Sequence, residues 1–129
     1  MAKSMRPTGR ILVVDDETDT VELIRFTLET AGFQVEQALD GATAIQRIKS
    51  EEFDVVLLDI MMPDLSGFDV LQQLRANNAQ VPPVIFLTAR KNPEDEATGK
   101  DLGASHYLTK PARRGELLDA IELALERGN

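Results

Sequence analysis

Carboxylates, a hydroxyl and an ammonium recur in this chain where short apolar runs stop. Asp15 and Asp16 follow the run 11–14, Asp59 follows 55–58, Thr88 follows 84–87, and Lys110-Pro111 follows Tyr107-Leu108-Thr109. Gathered in one place, such groups suit a divalent cation and a phosphoryl group. A carboxylate can attack phosphorus to give an aspartyl phosphate. A cation and an ammonium then neutralise charge on the transferring oxygens, and a hydroxyl holds one of them. Asp59 is the best-placed nucleophile: it stands alone after the most apolar run and leaves the acid pair free to hold metal. Oxygen-only donors favour Mg²⁺, or Mn²⁺, over Zn²⁺. Three carboxylates in one crevice repel one another by roughly 3 kcal/mol per pair at about 5 Å and an effective dielectric near 20. Lys110 and a cation are the natural compensation.

The elements that must deliver these residues alternate along the chain. Residues 11–14 read as a strand that is apolar on both faces, as a central parallel strand is. Residues 18–31 carry Val21, Ile24, Leu28 and Ala31 on one helical stripe, and Gly32 suits a left-handed cap. Residues 33–38 alternate as a more exposed strand does. Residues 42–49 form a short helix with Ala44, Ile45 and Ile48 inward and Asp40 near its start. After the strand 55–58, Ser66 is placed to cap a helix over 68–76. Pro82-Pro83 blocks any helix ahead of the strand 84–87. Pro93 and the acids after it open a helix that Gly103 ends. The strand 106–109 and a helix with Leu117, Leu118, Ile121, Leu123 and Leu125 on its apolar side complete the chain, with Arg127-Gly128 closing it. About five βα units result, an α/β domain with right-handed connections and helices on both sheet faces. Ligand sites in such sheets form beyond the carboxyl ends of the strands, where all the candidate residues fall.

Composition narrows the field. The chain has 129 residues, 43% of them hydrophobic, enough for one domain with its own core. Residues 1–9 read as a polar, loose tail and 10–127 as the domain. With no Cys there is no disulfide framework and no thiol nucleophile, which suits a reducing cytoplasm, the expected location. No run has the length of a membrane span. A net charge of −8 argues against direct nucleic-acid binding. One His and no G-x-S-x-G elbow leave no Ser-His-Asp system.

Four stretches together resemble the receiver domain of bacterial response regulators, as in the chemotaxis response regulator. They are Ile11-Leu12-Val13-Val14-Asp15-Asp16-Glu17, then Leu58-Asp59-Ile60-Met61-Met62-Pro63-Asp64-Leu65-Ser66-Gly67, then Phe86-Leu87-Thr88-Ala89, and finally Gly103-Ala104 through Tyr107-Leu108-Thr109-Lys110-Pro111. Any one alone is weak; all four in order are specific. The resemblance implies a doubly wound (βα)5 flavodoxin-like domain with a five-stranded parallel sheet in the order 2-1-3-4-5. It implies Asp59 as phosphoacceptor, charged from the phosphohistidine of a sensor histidine kinase or phosphotransfer protein. By the same likeness Asp16 is a direct Mg²⁺ ligand, Asp15 acts through water, and Asp59 and the Met61 backbone carbonyl are the further protein ligands. Thr88 and Lys110 match the phosphoryl contacts, and Tyr107 matches an aromatic that swings inward when Thr88 moves. Lys110-Pro111 matches a peptide that is cis in the family. The fourth helix, last strand and last helix would meet a downstream partner or a second copy.

The chain also departs from the pattern. Ala112 stands where Phe is common, and Arg113-Arg114-Gly115 is basic where acids and Pro are common. Met61 and Arg90 flank the site where other members carry amides or acids that orient water, which implies slow self-dephosphorylation. Each candidate also has an ordinary reading: Asp15-Asp16 as a helix start, Asp59 as a turn residue, Thr88 as a strand-end Thr, Lys110 and Arg113-Arg114 as solvated surface, His106 and Met61-Met62 as packing. Competing functions are an aspartyl-intermediate phosphatase, which wants an acid where Met61 stands, an unphosphorylated interaction module, and a cofactor binder, which wants a phosphate loop after the first strand. No output segment follows Arg127 in these residues, which fits a stand-alone regulator or a receiver from a longer protein.

Overall fold

The structure, a computed structural model, describes residues 9–77 and 80–128. Of the tail expected at 1–9, all but Gly9 lies outside the described residues. The elements are β1 (Arg10–Val14), α1 (Thr18–Thr30), β2 (Gln34–Ala38), α2 (Gly41–Ser50), β3 (Val55–Asp59), α3 (Gly67–Ala76), β4 (Val84–Thr88), α4 (Pro93–Asp101), β5 (His106–Thr109) and α5 (Arg114–Gly128). The five strands form one parallel sheet in the order β2-β1-β3-β4-β5, the order the resemblance implies.

The double apolar character of the central strands follows from cover on both sides. Alternate residues go to opposite cores, because side chains on a strand alternate with period two. Leu12, Val14, Val56, Leu58, Val84 and Phe86 join Ala44 and Ile48 of α2 and Val70, Leu71 and Leu74 of α3. Ile11, Val13, Val55, Leu57, Ile85 and Leu87 join Val21, Ile24 and Leu28 of α1 and Leu117, Ala120, Ile121 and Ala124 of α5. α4 is attached differently. Its one buried residue is Gly99, where an added Cβ would meet the Phe86 ring at 3.1 Å and the Tyr107 ring at 3.6 Å.

Ends are set by local chemistry. Asp40 accepts the Thr43 N–H to cap α2. Ser66 and Asp69 form a reciprocal capping box on α3. Asn92 caps α4 ahead of Pro93. Gly32 and Gly103 take φ of +100° and +92° just past α1 and α4, a region open to glycine. Two expectations are corrected. Leu123 is 49% exposed, and α5 buries Ala120 and Ala124 instead, because small residues let the helix lie close to the sheet. Phe33 precedes β2 and packs only in part against the core; its N–H bonds the Leu28 carbonyl and so belongs to the end of α1.

Candidate functional site

Parallel register brings the candidate residues to one sheet edge. Val14 is level with Leu58, so Asp15 and Asp59 leave neighbouring strands side by side. Asp59 is level with Leu87 and Thr88 with Thr109, so Thr88 and Lys110 follow on the next two strands. β1 lies between β2 and β3, so the chain departs from it in opposite directions. The crevice outside β1 and β3 is therefore the switch point where such sheets take ligands. Lys110 enters through a cis Lys110-Pro111 peptide, and its N–H donates to the Thr88 carbonyl at 2.7 Å.

The Lys110 ammonium lies 2.9 Å from Asp15 Oδ2, 3.3 Å from Asp59 Oδ1 and 3.6 Å from Glu17 Oε1. Asp15 and Asp59 are buried and Asp16 is exposed. Asp15 Oδ1 also accepts the Glu17 N–H at 2.9 Å. Carboxylate oxygens of Asp15, Asp16 and Asp59 lie within 4.8 Å of one another. An all-oxygen set of that span, open to solvent at Asp16, fits one hard divalent cation. Burial, reinforced by the Asp15 charge, pushes the Asp59 carboxyl up to about 6 against the pull of Lys110. Burial disfavours the charged Lys110, but the hydrogen bond to Asp15 and the attraction of both acids outweigh it and hold the ammonium above its ordinary range. This crevice therefore carries more negative charge than it can hold comfortably, which is the condition a cation relieves.

Thr88 stands at the rim, but its hydroxyl is engaged by its own loop. It donates to the Arg90 carbonyl at 3.1 Å and accepts the Arg90 N–H at 3.3 Å. Tyr107 packs with the Phe86 core, half-buried. Its hydroxyl is enclosed without a hydrogen bond of ordinary geometry. Burial, helped by the charge of Asp95, pushes the Tyr107 phenol above its ordinary range. The Met61 N–H favours the ionised Asp59, while the Met61 side chain is 71% exposed.

Three further residues make contacts that residue type alone did not disclose. Glu17 adds a third acid to Lys110. Gly67 lets the loop after β3 fold back, since a Cβ there would sit 2.5 Å from the Asp59 carbonyl oxygen; its N–H closes the loop on the Ile60 carbonyl. Arg114, read as solvated surface, donates to the Thr27 carbonyl and Thr30 hydroxyl at 3.2 and 3.1 Å and ties α5 to the end of α1.

Comparison with known proteins agrees with this geometry. A family model for the response regulator receiver domain matches residues 11–122. Regulatory protein VanRc of Enterococcus gallinarum is 40% identical over 118 residues, covering 92% of this chain and 50% of that protein. Transcriptional regulatory protein DltR of Streptococcus agalactiae is 43% identical over 114 residues, covering 88% of this chain and 50% of that protein. The chain thus spans about half the length of these relatives. Among solved structures, the receiver domain of Francisella response regulator 1452 superposes with a TM-score of 0.86 at 33% identity, over 94% of this chain and 99% of that one. Vibrio cholerae chemotaxis protein CheY4 gives 0.82 at 31% identity, over 95% and 100%.

Proposed function

The chain belongs to the response regulator receiver domain family, and on that premise we propose that it takes a phosphoryl group from a kinase phosphohistidine onto Asp59 in a Mg²⁺-dependent step. The observation that carries the proposal is the single ammonium of Lys110 lying between Asp15 and Asp59 at the mouth of the crevice. Mg²⁺, when bound, supplies positive charge for the phosphoryl oxygens and the acid cluster alike.

Asp16 and Asp59 would hold the cation directly and Asp15 through water, with the Met61 carbonyl as a further protein ligand. Asp59 Oδ forms the new bond to phosphorus as the bond from phosphorus to the donor imidazole breaks, and the imidazole nitrogen retains that electron pair. Lys110 keeps its proton and stabilises charge on the phosphoryl oxygens. Thr88 exchanges its hydrogen bonds to Arg90 for one to a phosphoryl oxygen. That displacement opens room for Tyr107 and alters the surface of α4, β5 and α5, where a downstream partner docks. Return to the resting state is slow self-dephosphorylation, because an exposed Met61 side chain has no polar group to orient water. The domain is in this reading a cytoplasmic switch that promotes its own phosphorylation. A phosphatase cycle is disfavoured by the same Met61, since it wants an acid there.

Beryllofluoride, a phosphoryl mimic, tests the reading with Mg²⁺ and backbone NMR. Shifts are expected at Asp16, Asp59, Thr88, Tyr107 and Lys110, and none in Asp59→Asn. Shifts that persist in Asp59→Asn would contradict it.

A further inference from the structure

The packing reading of Met61-Met62 holds for one of the two residues. Met62 is 9% exposed and belongs to the core beneath α2 and α3, whereas Met61 is 71% exposed, more than any other large apolar residue described. So exposed a side chain buries little area and adds little to the fold. Its place is at the acid crevice. Met61 stands two residues past Asp59, and its N–H is near enough to that carboxylate to favour the charged form. The chain has no Cys, so its thioethers are its only sulfur and no thiol competes for a mild oxidant. Met1 and Met5 lie outside the described residues. Thioether oxidation follows access, and of the two described sulfurs only that of Met61 is open to solvent.

We propose that Met61 is an oxidation site, at which a peroxide converts the thioether to a sulfoxide and thereby shortens the life of the phosphorylated state. The second part rests on the reading of Asp59 as phosphoacceptor. In the first step the peroxide O–O bond breaks, one oxygen bonds to sulfur, sulfur loses two electrons, and the peroxide leaves as water. A thioether is a weak acceptor, but a sulfoxide is polar and presents an oxygen to which water can donate. Three rotatable bonds let the side chain bring that oxygen over the neighbouring acid. In the second step the held water bonds to phosphorus as the bond from phosphorus to the Asp59 oxygen breaks. The carboxylate keeps that electron pair, one water proton stays on the phosphate formed, and the other passes to solvent. Exposure also makes the change harmless to the fold, since a solvated sulfoxide loses no water. The same oxygen on Met62 would be buried in the core at a cost in stability. Reduction by a methionine sulfoxide reductase restores the thioether, so the device is reversible.

Treatment of the full chain with dilute hydrogen peroxide tests this. Sulfoxide is located by peptide mass spectrometry, and the decay of protein labelled by acetyl phosphate with Mg²⁺ is followed after donor removal. Met61 sulfoxide is expected well before Met62 sulfoxide. The phosphoryl half-life is expected to fall about threefold or more on treatment, and to recover when a methionine sulfoxide reductase is added. Met61→Leu keeps Met1, Met5 and Met62 and is compared only with itself; its half-life should stay within about twofold on treatment. Met61→Gln carries a permanent polar oxygen and should show the short half-life with no oxidant. Oxidation of Met62 as early as Met61 overturns the proposal. So does a treated half-life within about twofold of the untreated one, a longer one, an equal shortening in Met61→Leu, or a Met61→Gln half-life as long as that of the untreated chain. Failure of acetyl phosphate to label the untreated chain counts instead against the phosphoacceptor reading beneath it, while the sulfoxide map still decides whether Met61 is the oxidation site.

Discussion

Lys110 Nζ lies 3.3 Å from Asp59 Oδ1 while also bonding Asp15 at 2.9 Å, so one ammonium is divided between two buried carboxylates. Neither acid is fully compensated. Asp15, Asp16, Asp59 and Glu17 bring four carboxylates against the one ammonium of Lys110, and a divalent cation offsets two of the remaining three charges. Uncompensated charge of this kind is expected at a reactive site.

Replacing the acceptor should therefore stabilise the metal-free protein. Burial and Asp15 raise the Asp59 carboxyl to about 6, so the folded state binds its proton more tightly than the unfolded chain does. The resulting cost is absent below about pH 3.8, grows as pH rises, and is complete above about pH 6. Asp59→Asn removes it, and the pull of Lys110 is already contained in that balance. In EDTA at pH 7 the variant should gain roughly 1–3 kcal/mol, and the gain should shrink toward pH 4. Thermal melts across that range check the sign.

Mg²⁺ affinity should fall as the buffer passes below pH 6, because a protonated Asp59 is both a poorer ligand and a poorer nucleophile. Titration calorimetry at pH 5 and pH 7.5 should show weaker binding at the lower value, with protons released on binding there. Chelation of the metal should abolish phosphorylation at either pH.

Thr88→Ala should separate phosphorylation from its consequence. The hydroxyl is held by the Arg90 backbone and makes no bond to Asp59 in this state. Its loss costs about 1 kcal/mol of stability and leaves Mg²⁺ binding intact. The chain has one Tyr and no Trp, so its ultraviolet emission reports Tyr107 alone. Beryllofluoride with Mg²⁺ should change that emission in the unchanged chain and leave it nearly unchanged in Thr88→Ala.

Met61→Asn should shorten the lifetime of the phosphorylated state several-fold by supplying a side chain that can orient water. The Met61 side chain is exposed, so the fold should not respond. Decay of labelled protein after donor removal measures it; an unchanged half-life removes Met61 as the cause of slow hydrolysis.

What the sequence disclosed depended on the kind of signal. The apolar runs of β1, β3 and β4 are buried on both faces, so their ends, and the acids and Thr88 placed there, were legible from composition alone. Their convergence needed only parallel register. α4 has no apolar stripe, yet Pro93 and its first-turn acids announced it. Long-range partners were not legible. Nothing local shows that Arg114 reaches Thr27 and Thr30, or that Glu17 turns toward Lys110. The apolar side of α5 was misread at Leu123 because the helix approaches the sheet through alanines, which give a weak periodic signal.

Phosphorylation of the purified chain by acetyl phosphate in Mg²⁺, read by mass spectrometry with the modified residue located, tests the central claim most directly. One phosphoryl group is expected, on Asp59, with none on Asp59→Asn or in EDTA, and with much slower labelling of Lys110→Ala. A chain that stays unmodified, or carries the group on another residue while Asp59 remains free, contradicts the account.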